Sequence, residues 1–317
     1  MEFWYRPRAT WQAYLLSPLS GLMGRVVRHR AQSRHAGRYK APVLVVGNIA
    51  VGGTGKSPAI QAIVRALTNR GLHCGIVSRG YGGRAPQYPY PVRMDSPANE
   101  AGDEPLLLAR SLHCPVVVDP DRDRAVRFLL DTHEVDVVIS DDGLQHYRMG
   151  RDFELVMVDG LRGLGNGRLL PSGPLREPAS RLRLADWVVA KARAPAGLDV
   201  DAVLVLNPTR PSRHDGSILP EGIEADVCAG IGHPEAFLEQ IRGQGYRVRH
   251  LLTPGDHKAI PRERLDDASV PLILTEKDAI KLSLPWPEHC YVARLEPELP
   301  NEFIDQLEDA IRRHRHG

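Results

Sequence analysis

Runs of β-branched and other apolar residues recur along the chain, and segments with apolar residues at helical spacing lie between them. The runs predict strands at residues 43–46, 75–78, 115–119, 136–140, 154–158, 187–190, 203–206, 226–230, 247–252, 271–275 and 291–295. The intervening pattern predicts helices at 58–69, 104–112, 122–132, 235–242 and 302–314. Strands that alternate with helices indicate an α/β fold whose sheets are mostly parallel.

The composition changes at residues 207–222, where Pro, Gly, Ser and charged residues cluster. Such a stretch is typical of a connection between two folded units. We therefore expect an N-terminal segment at 1–35, a first α/β domain at 36–206, a smaller α/β domain at 207–300 and a C-terminal helix at 301–317. The pattern does not indicate which domain that helix packs against.

Composition and charge exclude some classes of protein. The 317 residues are 42% hydrophobic and 25% charged, which is ordinary for a globular protein with a sizeable core. A net charge of +2 argues against a protein built mainly to bind nucleic acid. The four cysteines are far apart and form no C-x-x-C pair, which excludes the usual zinc spacings and fits a reducing compartment.

Residues 1–30 are rich in aromatic and apolar side chains, and arginines flank them. The uncharged run from 9 to 24 spans 16 residues and contains Pro18 and Gly21. A membrane-spanning helix needs about 20 predominantly apolar residues, and no A-x-A-like cleavage site follows that would indicate a signal peptide. We predict an amphipathic helix that lies in a membrane interface. The alternative is a helix packed on the protein core.

The segment LVVGNIAVGGTGKSP (44–58) runs from an apolar strand through a glycine-rich loop into a helix. That is the context of a phosphate-binding P-loop, in which backbone N–H groups and a helix N-terminus surround phosphate oxygens. Lys56 can reach the β- and γ-phosphates, and the Ser57 hydroxyl can bind Mg²⁺. Ala50 stands where the general pattern has glycine. The predicted phosphate-binding residues are Gly52, Gly53, Thr54, Gly55, Lys56 and Ser57.

A second, acidic motif supports nucleotide binding. The apolar segment VDVVIS (135–140) ends in Asp141 and Asp142. Two adjacent carboxylates at a strand end are unfavourable in a buried site without a cation, and Mg²⁺ prefers such oxygen ligands. The two motifs together predict a nucleotide-binding protein, but they do not distinguish an ATPase, a GTPase and a kinase.

Several other segments have both a functional and a purely structural interpretation. SRGYGGR (78–84) is either an anion-binding loop or a flexible turn. In AGDEP (101–105), Asp103 is either a catalytic carboxylate or the N-cap of a helix. GLGNGRLLPSGPLREP (163–178) has the length of a functional loop. His257 in TPGDHKAIP is explained adequately by a surface turn, and the charges of TEKDA by a helix start.

In this order along residues 40–282, these segments resemble the tetraacyldisaccharide 4'-kinase family of lipid A biosynthesis. The P-loop of that family has the form GNxxVGGxGK, with which Ala50 agrees. The resemblance implies a P-loop NTPase-type fold, with a mostly parallel sheet flanked by helices and a second, smaller α/β lobe. It implies phosphorylation of the 4'-hydroxyl of a tetraacyldisaccharide 1-phosphate by ATP and Mg²⁺, giving the 1,4'-bisphosphate lipid A precursor (lipid IVA).

The resemblance also implies a location and partners. The protein is expected to bind peripherally to the cytoplasmic face of the bacterial inner membrane through its N-terminal segment. Its partners are then the lipid disaccharide and the membrane surface, without nucleic acid, and it is expected to act as a monomer.

Roles for single residues follow from the same resemblance. Asp103 is expected to be the base that takes the proton of the sugar hydroxyl, and His257 from the smaller lobe to orient it. The expected metal ligands are Ser57, Asp141, Asp142 and Glu177. The expected contacts to substrate or phosphate are Arg79, Arg122, Gln145, His146 and Arg176.

Two other classes of protein remain open. A P-loop GTPase or metallochaperone-like NTPase would need a guanine-binding N/T-K-x-D motif. The nearest string, TEKD at 275–278, has its lysine one position too late. A binding module that uses ATP only to set its conformation would transfer no phosphoryl group to a lipid.

Overall fold

The structure is a computed structural model, and it describes residues 2–6, 10–32, 38–231, 234–254, 260, 265, 269–280, 282 and 286–315. His257, which is expected to orient Asp103, lies outside the described residues.

The described strands fall within two residues of every predicted one. They are β1 Val43–Gly47, β2 Cys74–Ser78, β3 Tyr90–Val92, β4 Val116–Val118, β5 Val137–Asp141, β6 Phe153–Asp159, β7 Trp187–Lys191, β8 Ala202–Pro208, β9 Glu224–Cys228, β10 Arg247–Leu252, β11 Leu272–Thr275, β12 Cys290–Ala293 and β13 Leu295–Glu298. The larger sheet has the order β13-β8-β7-β6-β1-β5-β2-β4-β3, and the smaller has the order β10-β9-β11-β12. All pairs are parallel except β3 with β4 and β13 with β8.

The predicted helices are likewise present within two residues of their expected bounds. The described α-helices are α1 Trp11–Gln32, α2 Lys56–Asn69, α3 Ala98–Ala101, α4 Asp103–Leu112, α5 Arg122–Thr132, α6 Pro234–Gly243, α7 Glu276–Ala279 and α8 Asn301–Arg315. Short 3₁₀ helices lie at Glu2–Tyr5 and Ala179–Leu184. The mostly parallel α/β fold class is therefore confirmed.

Helices cover both faces of the larger sheet, whose strands β1, β2 and β5 are buried along their whole length. On one face, Ile63 of α2 and Leu307 of α8 belong to the same core cluster. On the other face, Val126 and Leu129 of α5 pack against the sheet. The C-terminal helix thus packs on the larger sheet, which settles a choice that the sequence pattern left open.

The chain returns to the larger sheet after building the smaller one. Helix α6 packs on the smaller sheet through Phe237 and Ile241. Strand β13 then pairs antiparallel with β8, so that Glu298 lies opposite Val205. This pairing brings a strand from the range predicted for the smaller domain onto the larger sheet, and the domain limits themselves stay a prediction.

Two short strands, β3 and β13, were not predicted as separate elements. Each contains a proline, Pro91 or Pro297, and each lies at an edge of the larger sheet. Proline cannot donate a hydrogen bond to a neighbouring strand, so it is confined to such edge positions. Because proline and polar residues interrupt the apolar pattern, the sequence does not predict these two strands.

Helix α1 packs on the rest of the protein through small polar residues. The Ser20 hydroxyl donates to the Leu169 carbonyl at 2.9 Å and accepts from the Ser172 N–H at 3.1 Å. Arg168 Nη1 donates to the Ser17 hydroxyl at 2.8 Å. The large exposed apolar residues on this helix are Trp11, Tyr14, Leu15, Leu19, Leu22 and Val26.

The exposure of these large side chains agrees better with an interfacial helix than with one packed on the core, but the choice between the two stays a prediction. Among the described residues, no helix combines the length and the apolar character that crossing a membrane requires.

Candidate active site

The P-loop joins the end of β1 to the start of α2, as the sequence predicts. Gly55 is the N-cap of α2 with φ 90°, and Gly52 has φ 122°. Side chains other than glycine rarely adopt these angles, so the two glycines are required by the turn. Asn48 Nδ2 donates to Thr54 Oγ1 at 2.9 Å across the loop. The loop is therefore shaped by its own residues, with the N-terminus of α2 facing its hollow.

The long loop at 163–178 holds the P-loop from outside. The Val51 N–H donates to the Pro174 carbonyl at 2.8 Å, and the Arg176 N–H donates to the Ile49 carbonyl at 2.7 Å. The same loop carries Leu169 and Ser172, which bind helix α1. The sequence indicated a functional loop here, and its observed contacts connect the N-terminal helix with the P-loop.

The two aspartates lie beside Lys56 because β5 is the direct neighbour of β1, with Val46 opposite Asp141. Asp141 accepts a hydrogen bond from Ser78 Oγ at 2.9 Å. Asp142 lies 3.7 Å from Lys56 Nζ and 3.2 Å from Arg176 Nη1. The carboxyl ends of two parallel strands thus bring the lysine and both carboxylates to one point.

The donor set at this point fits a divalent cation. One carboxylate oxygen of Asp141 and one of Asp142 are buried without a hydrogen-bond partner. Burial and, to a smaller extent, the charge of Glu104 raise the pKa of the Asp141 carboxyl to about 6, although Lys56 opposes the shift. A divalent cation would coordinate both oxygens, of which the one on Asp142 also lies 3.7 Å from Lys56 Nζ. Mg²⁺ commonly takes one or two carboxylates together with phosphate oxygens and water. No group of three or more His, Cys, Asp or Glu side chains suited to a metal occurs among the described residues.

Glu177 does not join the aspartates. It is 1% exposed and accepts hydrogen bonds from Gln145 Nε2 at 2.7 Å and from the Tyr147 hydroxyl at 2.9 Å. Arg181 Nε lies 3.3 Å from the same carboxylate. In this arrangement Glu177 fixes Gln145, whose amide also donates to the Asn48 carbonyl at 3.2 Å. Its expected role as a metal ligand stays a prediction that this geometry does not support.

A cavity of about 440 Å³, which we call the aspartate cavity, opens in front of Lys56, Asp141 and Asp142. Asp103 lines it, and so does Lys277 from helix α7 of the smaller lobe. The residues that were predicted to contact substrate or phosphate all line it as well: Arg79, Arg122, Gln145, His146 and Arg176.

A second cavity of about 480 Å³, the P-loop cavity, lies on the other side of Lys56 and shares Lys56, Asp103, Glu104 and Lys277 with the first. Its walls include apolar residues from four elements or loops: Leu107, Leu206, Ile231 and Leu295. All the predicted phosphate-binding residues line it, namely Gly52, Gly53, Thr54, Gly55, Lys56 and Ser57. The two cavities thus form one cleft that Lys56 and Asp103 divide.

Asp103 is the first residue of α4, and Gly102 occupies the N-cap position. The capping interpretation of Asp103 is therefore wrong. Gly102 has φ 87°, and a Cβ atom on it would lie 2.8 Å from the Tyr81 carbonyl oxygen. A Cβ atom on Gly83 would lie 2.5 Å from the Glu100 carbonyl oxygen. The glycines of SRGYGGR and AGDEP thus allow two backbones to touch, which places Arg79 and Asp103 in the same cavity.

Arg122 and His146 form one wall of the aspartate cavity. Arg122 is 2% exposed and donates to the carbonyls of Asp119 and Asp141 at 3.0 and 2.9 Å, so it holds the end of β5. Burial lowers the pKa of Arg122 to about 10, which leaves it charged near neutral pH. Burial, together with the charges of Arg122 and Arg79, lowers the pKa of His146 to about 4. His146 is therefore neutral near pH 7 and retains a ring nitrogen that can accept a proton or hydrogen bond.

Lys191, Lys277, Glu104 and Tyr81 also line the cleft, and the sequence did not predict them as site residues. Lys191, at the end of β7, donates from Nζ to the Gly53 carbonyl at 3.3 Å. Thr275 is the N-cap of α7, so the helix-start interpretation of TEKDA is correct. Lys277, two residues further on, lines both cavities. Glu104 and Tyr81 belong to the motifs around Asp103 and Arg79. Charged residues directly after apolar strands were the available signal for the two lysines.

The chain is similar to known proteins over nearly its whole length. The family model described as LpxK: Tetraacyldisaccharide-1-P 4'-kinase matches residues 12–312. The tetraacyldisaccharide 4'-kinase of Alkalilimnicola ehrlichii is 45% identical over 98% of this chain and 96% of its own length. The enzyme of the same name from Aeromonas salmonicida is 42% identical over 96% of this chain and 94% of its own.

A solved structure of LpxK from Aquifex aeolicus in complex with ATP has a similar fold. It superposes with a TM-score of 0.78 at 25% identity, covering 95% of this chain and 98% of that one. The similarity over nearly the whole of both chains agrees with the P-loop NTPase-like α/β architecture described above.

The close contact between the two glycine-rich loops predicts that a larger residue at Gly102 will lower both stability and activity. We expect Gly102→Ala to lower the free energy of unfolding by about 1–3 kcal/mol, because alanine is strained at this φ and its Cβ meets a carbonyl oxygen. Because Gly102 sets the start of α4, kcat should fall as well. Urea unfolding and steady-state assays measure the two effects.

Gly243→Ala is the matched control, since Gly243 lies at the end of α6 with nothing within 4 Å of an added Cβ. It should change stability by less than about 1 kcal/mol. Equal midpoints for the two variants would contradict the packing argument.

Proposed function

This chain belongs to the tetraacyldisaccharide-1-P 4'-kinase family, and from that membership we propose that it transfers the γ-phosphoryl group of ATP to the 4'-hydroxyl of a tetraacyldisaccharide 1-phosphate. The observation that carries the proposal is the division of one cleft into two cavities at Lys56 and Asp103. Phosphoryl transfer needs a donor and an acceptor on the two sides of a single phosphorus atom, and this cleft provides a place for each. The comparisons do not favour the rival GTPase interpretation.

The P-loop cavity suits the nucleotide. Its glycine-rich loop offers backbone N–H groups to the phosphates, and the N-terminus of α2 adds a partial positive charge. The apolar side chains of Leu206, Ile231 and Leu295 line the same cavity and suit the flat, apolar faces of a base. On this proposal the γ-phosphate lies at Lys56, facing the aspartate cavity.

The aspartate cavity suits the acceptor sugar. Asp103 accepts the proton of the 4'-hydroxyl while that oxygen attacks the γ-phosphorus, and the bond between this phosphorus and the β–γ bridging oxygen breaks to release ADP. Lys56 and Arg176 lie where negative charge on the transferring group needs stabilisation. Mg²⁺ bound by Asp141, Asp142 and the Ser57 hydroxyl would neutralise part of the phosphate charge. We keep the expectation that the protein acts as a monomer.

Residues of the smaller lobe complete the cleft. Lys277 lines both cavities, and Ile231 lines the nucleotide side. We retain His257 as the proposed partner of Asp103 because the family resemblance implies that role. A carboxylate beside an imidazole can remain ionised and so keep its ability to accept a proton.

The exposed face of α1 supports binding to a membrane surface. Leu15, Leu19 and Leu22 are 71%, 56% and 58% exposed, and they lie on one side of the helix. Arg25 and Arg28 are exposed near its end and can meet anionic headgroups. An interfacial helix of this kind would hold the protein on the cytoplasmic face of the inner membrane, beside its lipid substrate.

Transfer of label tests the proposed function directly. The full chain in neutral detergent micelles, with γ-labelled ATP, Mg²⁺ and the tetraacyldisaccharide 1-phosphate, should place label in the lipid. Lys56→Ala removes the charge at the β- and γ-phosphates and should lower kcat/KM by about 100-fold or more, equal to about 2.7 kcal/mol. Release of labelled phosphate to water at a rate independent of the lipid, with none in the lipid, would contradict the proposal.

The role of Asp103 has its own test. Asp103→Asn keeps the shape of the side chain but removes the proton acceptor, so kcat should fall by roughly 10²- to 10⁴-fold with ATP affinity retained. Glu104→Gln removes the neighbouring carboxylate from the same cavities and should cost less than about tenfold, because Glu104 is not the proposed base. Equal losses in the two variants would mean that Asp103 acts only through its charge.

Membrane binding is tested by point substitutions, since α1 also contacts the loop that holds the P-loop. Burying a leucine side chain contributes about 1.5–3 kcal/mol. Leu15→Glu, Leu19→Glu and Leu22→Glu together should therefore release the protein from phospholipid vesicles in a sedimentation assay. Leu161→Glu with Leu184→Glu, both 70% exposed elsewhere, should leave binding unchanged. Unchanged sedimentation of the triple variant would exclude this helix as the membrane contact.

A further inference from the structure

A third cavity of about 810 Å³ lies behind the wall formed by Arg122 and His146. It shares Arg79, Arg122, Gln145 and His146 with the aspartate cavity, so the two adjoin along this wall. On its other side it reaches His29, near the end of helix α1. The cavity therefore lies between the proposed membrane helix and the proposed site of phosphoryl transfer.

The charges of this third cavity favour an anion. Arg79 and Arg148 both line it and both are exposed. Within the part of the chain that the structure describes, neither arginine makes a hydrogen bond or an ion pair. Two unpaired guanidinium groups at one cavity are an unsatisfied set of charged donors that suits a phosphate.

The acidic residues of the same cavity already form hydrogen bonds within the protein. Asp121 caps helix α5 by accepting from the N–H groups of Asp123 and Arg124 at 3.1 and 3.3 Å. Asp123 accepts from Arg127 Nε at 2.8 Å and from the Tyr39 hydroxyl at 2.6 Å. These carboxylates are neutralised or bonded within the protein, so the unpaired charge that faces the cavity is positive.

The family's substrate provides an anion at the right place. A tetraacyldisaccharide 1-phosphate carries its reacting 4'-hydroxyl on one sugar and its phosphate on the other, so the two groups lie at opposite ends of the disaccharide. When the 4'-hydroxyl lies beside Asp103, the second sugar must extend out of the aspartate cavity. The shared wall at Gln145 and His146 leads from that cavity toward Arg148 and α1, where the acyl chains could remain in the membrane.

We infer that the third cavity binds the 1-phosphate of the acceptor lipid, and that Arg148, together with Arg79, donates charge-assisted hydrogen bonds to it. This inference rests on the proposed function and extends it from the reacting end of the substrate to the distant end. Arg148 then determines substrate specificity without touching the reacting atoms.

The test compares two acceptors in neutral detergent: the tetraacyldisaccharide with its 1-phosphate, and the same lipid with a free 1-hydroxyl. For the wild-type protein, loss of the phosphate should raise the acceptor KM by roughly 10- to 100-fold. Arg148→Gln should raise the KM for the phosphorylated acceptor by about tenfold. It should leave kcat, the KM for ATP and the KM for the 1-hydroxyl acceptor nearly unchanged. Equilibrium binding of each acceptor without ATP should show the same pattern.

Arg313→Gln is the matched control, because Arg313 is exposed on helix α8, away from all three cavities. Equal KM increases for both acceptors in Arg148→Gln, or none for either, would overturn the inference while leaving the proposed function intact. A loss seen only in anionic phospholipid vesicles, and not in detergent, would assign Arg148 to the membrane surface and overturn it too. If the wild-type protein labels neither acceptor, the proposed function fails and the inference fails with it.

Discussion

The approach of Lys56 Nζ to within 3.7 Å of the Asp142 carboxylate is the contact on which the rest of the site depends. It exists because β1 and β5 are parallel neighbours, so their carboxyl ends meet at one edge of the sheet. The P-loop leaves β1 at this edge and the two aspartates end β5 there. A phosphate chain and a divalent cation can therefore be held by residues nearly 90 positions apart in the sequence.

The loop at 163–178 extends this constraint to the surface of the protein. The backbones of Pro174 and Arg176 form hydrogen bonds with the P-loop. Leu169 and Ser172 form hydrogen bonds with Ser20 on helix α1. Since one loop makes both sets of contacts, the exposed apolar face of α1 and the phosphate-binding loop keep a fixed relation. On the proposed function, a lipid at a membrane bound by α1 would therefore be presented to the cleft from a defined direction.

The sequence predicted the elements of the fold well because strong apolar periodicity marks them. It also predicted the P-loop, the aspartate pair and the residues that converge on the aspartate cavity, since each follows a strand or lies in a glycine-rich turn. It did not predict the apolar wall of Leu206, Ile231 and Leu295, because only the folding of three separate segments brings these residues to one cavity.

Other features escaped because a local pattern had two interpretations. Asp103 is a residue type that often caps helices, but in the structure Gly102 is the N-cap and Asp103 is the first residue of α4. Gly102 has a positive φ and lies close to the Tyr81 backbone. The role of Glu177 as a metal ligand came from the family resemblance and stays a prediction, while its carboxylate contacts Gln145, Tyr147 and Arg181. The apolar residues of helix α1 are evident in the sequence, but its pattern does not predict that Ser17 and Ser20 contact the loop at 163–178.

We propose that Lys56 and Asp103 divide one cleft into a nucleotide side and an acceptor side. A crystal structure of the protein with a non-hydrolysable ATP analogue and the tetraacyldisaccharide 1-phosphate would locate both ligands. We expect the base among Leu206, Ile231 and Leu295, the γ-phosphate at Lys56, and the 4'-oxygen between Asp103 and the γ-phosphorus. A base found in the aspartate cavity, or a 4'-hydroxyl on the same side of Lys56 as the base, would contradict it.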